Sequence, residues 1–577
     1  MRTQLALSSS FLLSLLTCVV GCGVDPADDL ATSAEAISQV DPTAGSGSYV
    51  TDEILRVLDA RAGVRWGKTW NVTADNRLAP GWLVQTPPAA HWGHPYASLA
   101  QPRSCTGGDG CEPDFQLLRC EVDADCGEGG RCTALAASVK RPGDAPVPMC
   151  AGHSEVLVDE IYEAMIAGRE VVDVTSLLPP DGRFIPAVRN AITYLGHQGR
   201  PMTVRLLFGA FPVQGVVNSR KVLQQLTRDL SASAPIEVFV GNFRSRNLPP
   251  SWNHSKMVVA DGRSALVGGH NMWTQHYLDK DPVHDLSMRV EGSAAADAHR
   301  FANELWTWTC SHRSLLTWTT WSVWSNRWKA GAIDSGCKAS VTPPPTTPAG
   351  NATVISVGRL GWVDPADAGN DADLAMLALL RAARHTIALS QQDFGPPMVP
   401  VLGLALGRWP NELFDELGAA LARGVDIYIV LSNVGSVAGG LTAVEAPYAN
   451  GWSLEQVLRT IRKRLIDHPT PGVPTGAALD ELLCRHLHLA PFRFGPDDAF
   501  TDGVPFPNHA KLIMVDDRAA YIGSQNAYTA GLSEYGYIVD DAAAVGEVRR
   551  TYWQNVWSWS SRLAVSGTGA ARCVLAP

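Results

Sequence analysis

The sequence predicts an α/β protein made of two similar lobes, each a mixed β-sheet flanked by helices. Three observations indicate this fold. A stretch at residues 253–271 recurs at residues 508–526, the segments before both copies alternate helical and strand-like patterns in one order, and a proline-rich segment at 341–349 separates the halves. Because each half carries one copy of the stretch, we expect the lobes to be related by a pseudo-two-fold axis, with the active site between them.

The elements of each half follow from the spacing of apolar residues. The first half predicts a helix, a strand, a helix and two buried strands, at residues 155–168, 171–176, 185–196, 204–208 and 236–240. The second half predicts a similar series, at residues 372–383, 386–390, 413–423, 427–431 and 454–465, of which the last is an amphipathic helix. We assign residues 49–340 to an N-terminal lobe, 341–350 to a linker and 351–577 to a C-terminal lobe.

Each recurring stretch predicts a β-hairpin that presents polar groups at its open end. Both copies read His-x-Lys-x4-Asp, with a glycine and then an Asn downstream. The apolar runs on either side of Asp261-Gly262 fold back at that turn, which brings Lys256 opposite Gly268. A histidine and a lysine two residues apart on an extended strand face the same side. The residues expected at the two open ends are His254, Lys256, Gly268, Gly269 and Asn271 in the first copy, and His509, Lys511, Gly523, Ser524 and Asn526 in the second.

The aspartate of each motif predicts a structural role. Asp261 lies seven residues along an extended strand from His254, about 23 Å away, so it cannot orient that imidazole. We expect Asp261 and its counterpart Asp516 to fix the hairpin turns. The carboxylates that could reach the histidines come later, since Asp285 and Glu534 each begin an alternating strand that could return alongside the preceding hairpin.

This set of side chains suits phosphoryl transfer without a metal. A neutral histidine can attack phosphorus to form a phosphohistidine, and a second, protonated histidine can protonate the leaving oxygen. Lysine and asparagine side chains can bind the non-bridging oxygens as charge develops. Asp285 and Glu534 would set the histidine tautomers. A structural role in two hairpins would explain a single histidine, but it does not explain two complete sets.

The paired motifs resemble those of the phospholipase D superfamily, and the wider context is similar to its secreted Streptomyces-type members. That context comprises Ser-Trp-Asn-His-Ser-Lys at 251–256, Gly-Gly-His-Asn-Met-Trp at 268–273, Ser-Gln-Gln-Asp at 390–393 and Glu-Tyr-Gly-Tyr-Ile-Val at 534–539. The resemblance implies hydrolysis of the distal phosphodiester bond of glycerophospholipids such as phosphatidylcholine, with head-group exchange to other alcohols. It implies His254 as the nucleophile, His509 as the acid and no required cofactor.

The resemblance also implies a choline pocket and two disulfides. Trp273, Tyr277 and Tyr448 would bind the trimethylammonium group through their aromatic faces, although packing would equally explain these residues. Nearness and the resemblance together pair Cys310 with Cys337 and Cys484 with Cys573. Two other functions fit the motifs: a nuclease, and an inactive protein that only binds lipid. A nuclease is disfavoured by the net charge of −10, and an inactive protein by the intact motifs.

The first residues predict export. Residues 1–22 contain Arg2, an apolar run and a lipobox-like end at Cys22, so we expect a lipoprotein signal peptide with Cys22 lipidated, or else ordinary cleavage and secretion. Residues 23–48 would form a flexible tether. Six cysteines between 105 and 150 predict a disulfide-stapled insert, which we favour over a metal site in an exported chain. We expect a monomer that acts on a phospholipid membrane or vesicle surface, with no nucleic-acid partner.

Overall fold

The computed structural model describes residues 48–60, 66–209, 217–245, 251–314, 319–326, 328–332, 336–361, 370–396, 398–399, 404–405, 407–436, 452–566 and 573. Residues 45–577 form one compact unit. The predicted signal peptide, Cys22, most of the tether and Tyr448 lie outside the described residues. Among the described helices, none is long and apolar enough to span a membrane.

The described residues up to the linker contain six α-helices and fourteen strands, with four short 3-10 helices between them. The helices are α1 (Tyr49–Asp59), α2 (Val156–Ile166), α3 (Phe184–His197), α4 (Ser219–Leu226), α5 (Thr274–Tyr277) and α6 (Ser293–Ser311). The strands are β1 (Trp70–Asn76), β2 (Leu83–Thr86), β3 (Cys111–Glu112), β4 (Leu117–Leu118), β5 (Arg131–Leu135), β6 (Val147–Ala151), β7 (Val171–Ser176), β8 (Met202–Gly209), β9 (Ile236–Phe243), β10 (Met257–Ala260), β11 (Ser264–Gly268), β12 (Asp285–Glu291), β13 (Thr320–Ser325) and β14 (Trp328–Ala332).

The described residues after the linker contain six α-helices and nine strands, with one π-helical and one 3-10 segment near the end. The helices are α7 (Asp371–Ala382), α8 (Asn411–Ala422), α9 (Leu454–Asp467), α10 (Ala477–His486), α11 (Ala542–Val548) and α12 (Gln554–Ser560). The strands are β15 (Ala352–Arg359), β16 (Thr386–Gln391), β17 (Met398–Val399), β18 (Leu404–Ala405), β19 (Asp426–Leu431), β20 (Leu487–Pro491), β21 (Leu512–Val515), β22 (Ala519–Gly523) and β23 (Glu534–Asp540).

Two large mixed sheets confirm the predicted two-lobed α/β fold. The first has the strand order β14-β13-β9-β8-β7-β10-β11-β12-β2, and the second has the order β1-β15-β23-β22-β21-β16-β19-β20. In each sheet three parallel strands are followed by three antiparallel ones: β9-β8-β7 then β10-β11-β12, and β20-β19-β16 then β21-β22-β23. The two sheets therefore share one topology, as the recurring sequence order predicted.

The first two elements of the chain pack with the second sheet. Strand β1 pairs antiparallel with β15 at the edge of that sheet. Helix α1 buries Val50, Ile54 and Leu58 in the core that contains α7 and α8. The sequence assigned both elements to the N-terminal lobe because they precede it in the chain, but their packing partners lie in the C-terminal one.

A shared core joins the lobes. One apolar cluster contains Val267 and Leu286 of the first sheet together with Leu512 and Ile522 of the second. Helix α6 lies within this cluster, and the Tyr537 hydroxyl donates to the carbonyl of Ala294 on that helix at 2.8 Å. The continuous apolar core holds the open ends of the two motif hairpins at one place between the sheets.

Disulfide bonds cross-link the insert and each of the two lobes. The five bonds join Cys105 to Cys111, Cys120 to Cys132, Cys126 to Cys150, Cys310 to Cys337 and Cys484 to Cys573. The last two are the pairs expected from the sequence. All six cysteines of the insert are paired, so none of them offers the free thiolate that a zinc site would require. Phe115 and Met149 of the insert pack into the core around α2 and α3.

Candidate active site

The two motif segments lie just before the first strand of each hairpin. Strands β10 and β21 start at Met257 and Leu512, directly after the motif lysines. The Lys256 ammonium donates to the carbonyl of His254 at 2.7 Å, and Lys511 donates in the same way to His509. All four side chains are at least 94 % buried. Each lysine is therefore held beside the histidine of its own motif.

Backbone hydrogen bonds cross from one motif to the other lobe. The amide of His254 donates to the carbonyl of Ser533 at 2.8 Å, next to Glu534 at the start of β23. The amide of His509 donates to the carbonyl of His284 at 2.7 Å, next to Asp285 at the start of β12. These bonds place each motif against the carboxylate-bearing segment of the opposite lobe.

The histidine–carboxylate pairs are consequently crossed. His254 Nδ1 lies 3.0 Å from both carboxylate oxygens of Glu534, and His509 Nδ1 lies 2.6 Å from Asp285 Oδ2. The sequence correctly predicts that β12 and β23 return alongside the preceding hairpins. It does not predict that each carboxylate reaches the histidine of the other motif. Since Nδ1 is bonded to a carboxylate in both rings, Nε2 is the nitrogen left for chemistry.

The carboxylates have different second partners. The Ser524 hydroxyl donates to Glu534 Oε2 at 2.6 Å. The corresponding position in the first hairpin is Gly269, where a Cβ would overlap Asp285. The Tyr277 hydroxyl donates instead to Asp285 Oδ2, at 2.9 Å. The two halves therefore support their carboxylates with different hydroxyl groups.

The paired asparagines are buried beside these groups. No well-aligned hydrogen bond reaches Nδ2 or Oδ1 of Asn271 among the described residues, although this side chain lies close enough to the Tyr277 hydroxyl to oppose the rise in its pKa. Asn526 donates from Nδ2 to the Tyr528 hydroxyl at 2.8 Å, whereas its Oδ1 has no partner there. A buried amide without a partner is costly unless a ligand completes its hydrogen bonds. This observation fits the predicted use of Asn271 to bind a phosphate oxygen.

Comparison with known proteins identifies the family of this chain. Residues 376–557 match the family model described as cardiolipin synthase, PLD-like domain. The chain is 30 % identical to a phospholipase D of Streptomyces antibioticus over 565 residues, which cover 90 % of this chain and 89 % of the relative. This chain belongs to the phospholipase D superfamily.

Two other proteins are similar to this chain at lower identity. Cardiolipin synthase A of Pseudomonas aeruginosa is 22 % identical over 288 residues, covering 48 % of each chain. The crystal structure of a phosphatidylserine synthase of Haemophilus influenzae Rd KW20 covers 70 % of this chain and 84 % of its own, at 14 % identity and a TM-score of 0.44. As a member of the superfamily, the chain is an enzyme of the phosphodiesterase type.

The site of this phospholipase D-superfamily enzyme strongly shifts the pKa values of its titratable groups. Burial lowers the pKa of His254 to about 4, against the opposing effect of Glu534. Burial, assisted by Lys511 and Lys256, puts the pKa of His509 well below its usual range. Burial also lowers the pKa of Lys256 to about 8 and that of Lys511 to about 7. This pKa makes His254 neutral at pH 7, the state that its predicted role as nucleophile requires.

The charged groups of the two motifs also act on Glu534. Burial alone would raise the pKa of Glu534, but His254 and Lys256 lower it. A phosphodiester placed among the lysines would supply a negative charge in a low-dielectric cleft, which favours the protonated forms of Lys511 and His509. We therefore expect binding of a phosphodiester and protonation of His509 to be coupled.

The motif aspartates anchor the hairpin turns to a neighbouring segment. Asp261 accepts three backbone N–H groups, from Arg169, Glu170 and Val171, at 2.7–2.9 Å. Asp516 accepts the corresponding three, from residues 384–386, each at 2.8 Å, and also the Tyr49 hydroxyl. Both aspartates adopt a φ of 53°. Each motif aspartate therefore has a structural role: its hydrogen bonds connect the hairpin turn to the start of β7 or β16.

The predicted aromatic pocket is only partly described. Trp273 and Tyr277 are buried, with exposed fractions of 3 % and 0 %. The contacts of Tyr277 are with Asp285 and, at 3.5 Å, with His509 Nδ1. The structure thus gives Tyr277 a positioning role, and choline recognition by these aromatic residues stays a prediction.

Sequence reasoning gave no role to the asparagine that precedes each motif histidine. Asn253 donates from Nδ2 to the carbonyl of Ser176 at 3.0 Å and accepts the Ser255 hydroxyl at 2.6 Å. Asn508 donates in a similar way to the Ser390 hydroxyl and the Gln391 carbonyl. These hydrogen bonds hold each motif against the end of a central parallel strand, β7 in the first lobe and β16 in the second. The sequence does contain a signal for these residues, because an asparagine directly precedes the motif histidine in both copies.

Proposed function

We propose that this enzyme is a phospholipase D that cleaves the distal phosphodiester bond of phosphatidylcholine and similar glycerophospholipids. The observation that carries the proposal is the pair of crossed histidine–carboxylate contacts with two buried lysines in one site. The identity with the Streptomyces enzyme over nearly the whole chain supports the phospholipid as substrate.

The first half of the reaction would use His254 as the nucleophile. Its Nε2 attacks phosphorus, a P–N bond forms and the P–O bond to the head group breaks. The leaving alkoxide takes a proton from Nε2 of His509, whose other nitrogen is held by Asp285. Lys256, Lys511, Asn271 and Asn526 would bind the non-bridging oxygens, on which negative charge increases in the transition state.

The second half reverses these roles. His509, now neutral, accepts a proton from water while the water oxygen attacks the phosphohistidine. The P–N bond breaks, which releases phosphatidic acid and restores both imidazoles. An alcohol that takes the place of water would give head-group exchange by the same steps, and the likeness to a protein named cardiolipin synthase A supports this transfer. None of these steps needs a metal.

The setting we propose is a lipid surface outside the cytoplasm. Five disulfides support an oxidising compartment. Lipidation of Cys22 or plain secretion would both deliver the enzyme there. Labelled palmitate that fails to enter the protein would exclude lipidation. We propose that it acts as a monomer, since one chain carries both motifs.

Product analysis tests the function directly. Purified enzyme is incubated with vesicles of phosphatidylcholine and phosphatidylethanolamine, with and without ethanol, and the expected products are choline, ethanolamine, phosphatidic acid and phosphatidylethanol. His254→Ala should abolish release, whereas a matched change at the exposed His197, His197→Ala, should not. Binding without release of a head group would establish the inactive lipid-binding protein, and faster loss of plasmid DNA than of lipid would establish the nuclease.

A further inference from the structure

A second polar cavity lies between the disulfide-stapled insert and the N-terminal lobe. Its volume is about 430 Å³, within the usual range for small-ligand sites. The insert contributes residues 113–116, α3 and α4 contribute Arg189, Gln225 and Arg228, and the segment around α5 contributes Thr274 and Asp279. None of the histidines, lysines, asparagines or carboxylates of the active site lines it.

One end of this cavity has a surplus of positive charge. Lys140, Arg189 and Arg228 surround two carboxylates, Asp114 and Asp229. Asp114 lies 2.7–2.8 Å from all three cations, and Asp229 lies 3.1–3.3 Å from the same three. Three cations share two anions, and Arg228 is the most exposed of the three, with 53 % of its side chain accessible. Its Nη2 and Nε already donate to Asp114 and Asp229, so a further anionic partner would bind at Nη1.

The other end has the opposite surplus. Arg183 binds two carboxylates, Glu155 at 2.7 Å and Asp279 at 3.0 Å. Asp279 is the accessible member, with 42 % of its side chain exposed, whereas Glu155 is buried. Arg183 directly precedes α3 and Arg189 lies six residues further on, a rise of about 9 Å along the helix. The cavity thus separates a cationic end from an anionic end by roughly the length of a small ligand.

We propose that this cavity binds the zwitterionic head group of a second phospholipid, which is held and not cleaved. The phosphate would lie against Arg228, with the amides of Gln116 and Gln225 as further donors, and the ammonium group would lie toward Asp279. A free anion suits the site less well, since Asp279 would repel it. The inference rests on the proposed function, because it assigns the site to the same class of lipid that the active site cleaves.

Binding of soluble phosphocholine to four proteins tests the site. Isothermal titration should find two molecules per wild-type chain, one in Lys511→Met, one in Arg228→Ala and none in the double variant. Lys511→Met removes the phosphate partner in the active site and keeps the length of a buried side chain. At the remaining site of Lys511→Met, phosphocholine should bind at least tenfold more tightly than inorganic phosphate or choline chloride alone. No binding to Lys511→Met, full binding to the double variant, or equal affinity for phosphate alone would overturn the proposal.

Vesicle kinetics give a second, independent measurement. Arg228→Ala should raise the vesicle KM about tenfold, the loss expected for a charge-assisted contact, and leave kcat unchanged. The matched control is Arg485→Ala, which removes an equally exposed arginine from a surface ion pair on α10. Equal effects of both variants would reject the site. Absence of choline release by the wild type would reject the proposed function, while the phosphocholine titration would still decide whether the cavity binds a head group.

Discussion

The crossed carboxylates predict that Asp285→Asn and Glu534→Gln affect different chemical steps. Asp285 contacts His509 at 2.6 Å, and Glu534 contacts His254 at 3.0 Å. If His509 is the acid and His254 the nucleophile, Asp285 supports leaving-group protonation and Glu534 supports attack on phosphorus. Both changes replace a carboxylate by an amide of the same shape, so they remove charge with little change in packing.

The magnitude follows from the bond that each change weakens. A hydrogen bond to a charged group is worth about 1.5–3 kcal/mol, which corresponds to about 10- to 150-fold in rate. With phosphatidylcholine, whose choline leaves as an alkoxide, both variants should lose activity within this range. With bis(p-nitrophenyl) phosphate the leaving phenolate needs no proton, so only Glu534→Gln should slow its release in the first turnover.

Stopped-flow measurement of the nitrophenolate burst separates the two steps. We expect the burst rate of Asp285→Asn to stay within about threefold of the wild type, because formation of the phosphohistidine no longer depends on the acid. Its steady-state rate should still fall, since His509 must activate water in the second half. A burst slowed as much by Asp285→Asn as by Glu534→Gln would refute the division of roles, and phosphate trapped on His509 would reverse it.

Three further outcomes are expected. Burial lowers the pKa values of Lys511 and Lys256 to about 7 and about 8, so both are mainly cationic only below these values. The inhibition constant of dimethyl phosphate, a phosphodiester monoanion that does not titrate in this range, should therefore rise between pH 6 and 9, and a flat profile would contradict this. Gly269→Ser places a Cβ against the carboxylate of Asp285, whereas Ser524→Gly only removes one hydrogen bond to Glu534. Gly269→Ser should therefore reduce kcat far more than Ser524→Gly. Similar kcat values for the two variants would contradict this asymmetry. Asp261→Ala leaves three backbone N–H groups without their acceptor. It should lower the free energy of unfolding, measured by urea denaturation, by about 2–4 kcal/mol. An unchanged midpoint would show that these three hydrogen bonds do not stabilise the fold.

The features that could be read from the sequence are those with local causes. The hairpins follow from two short apolar runs around Asp261-Gly262, and both form with the expected register, Met257 opposite Val267. The order of strands and helices in each half also follows from periodicity, because each element buries one face or both. Repetition then identified the lobes as similar.

The features that could not be read depend on contacts between distant parts of the chain. His254 and Glu534 are 280 residues apart, and no local pattern states which carboxylate meets which ring. The placement of β1 beside β15 has the same cause, since the sequence of a strand does not show which sheet it joins. The contact of the Tyr277 hydroxyl with Asp285 has the same cause, since the sequence shows only that Tyr277 lies close to Asn271.

The crossed contacts explain why one chain needs both motifs. Each imidazole takes its backbone anchor and its carboxylate from the opposite lobe, so separation of the lobes would remove both supports from both histidines at once. The fold is nearly symmetric, yet the reaction requires two histidines with different tasks. The differences at Gly269 and Ser524, and the hydroxyl of Tyr277 on one side only, break that symmetry. Since Ser524 and Tyr277 donate to Glu534 and Asp285, we expect the two roles to be set mainly through these carboxylates.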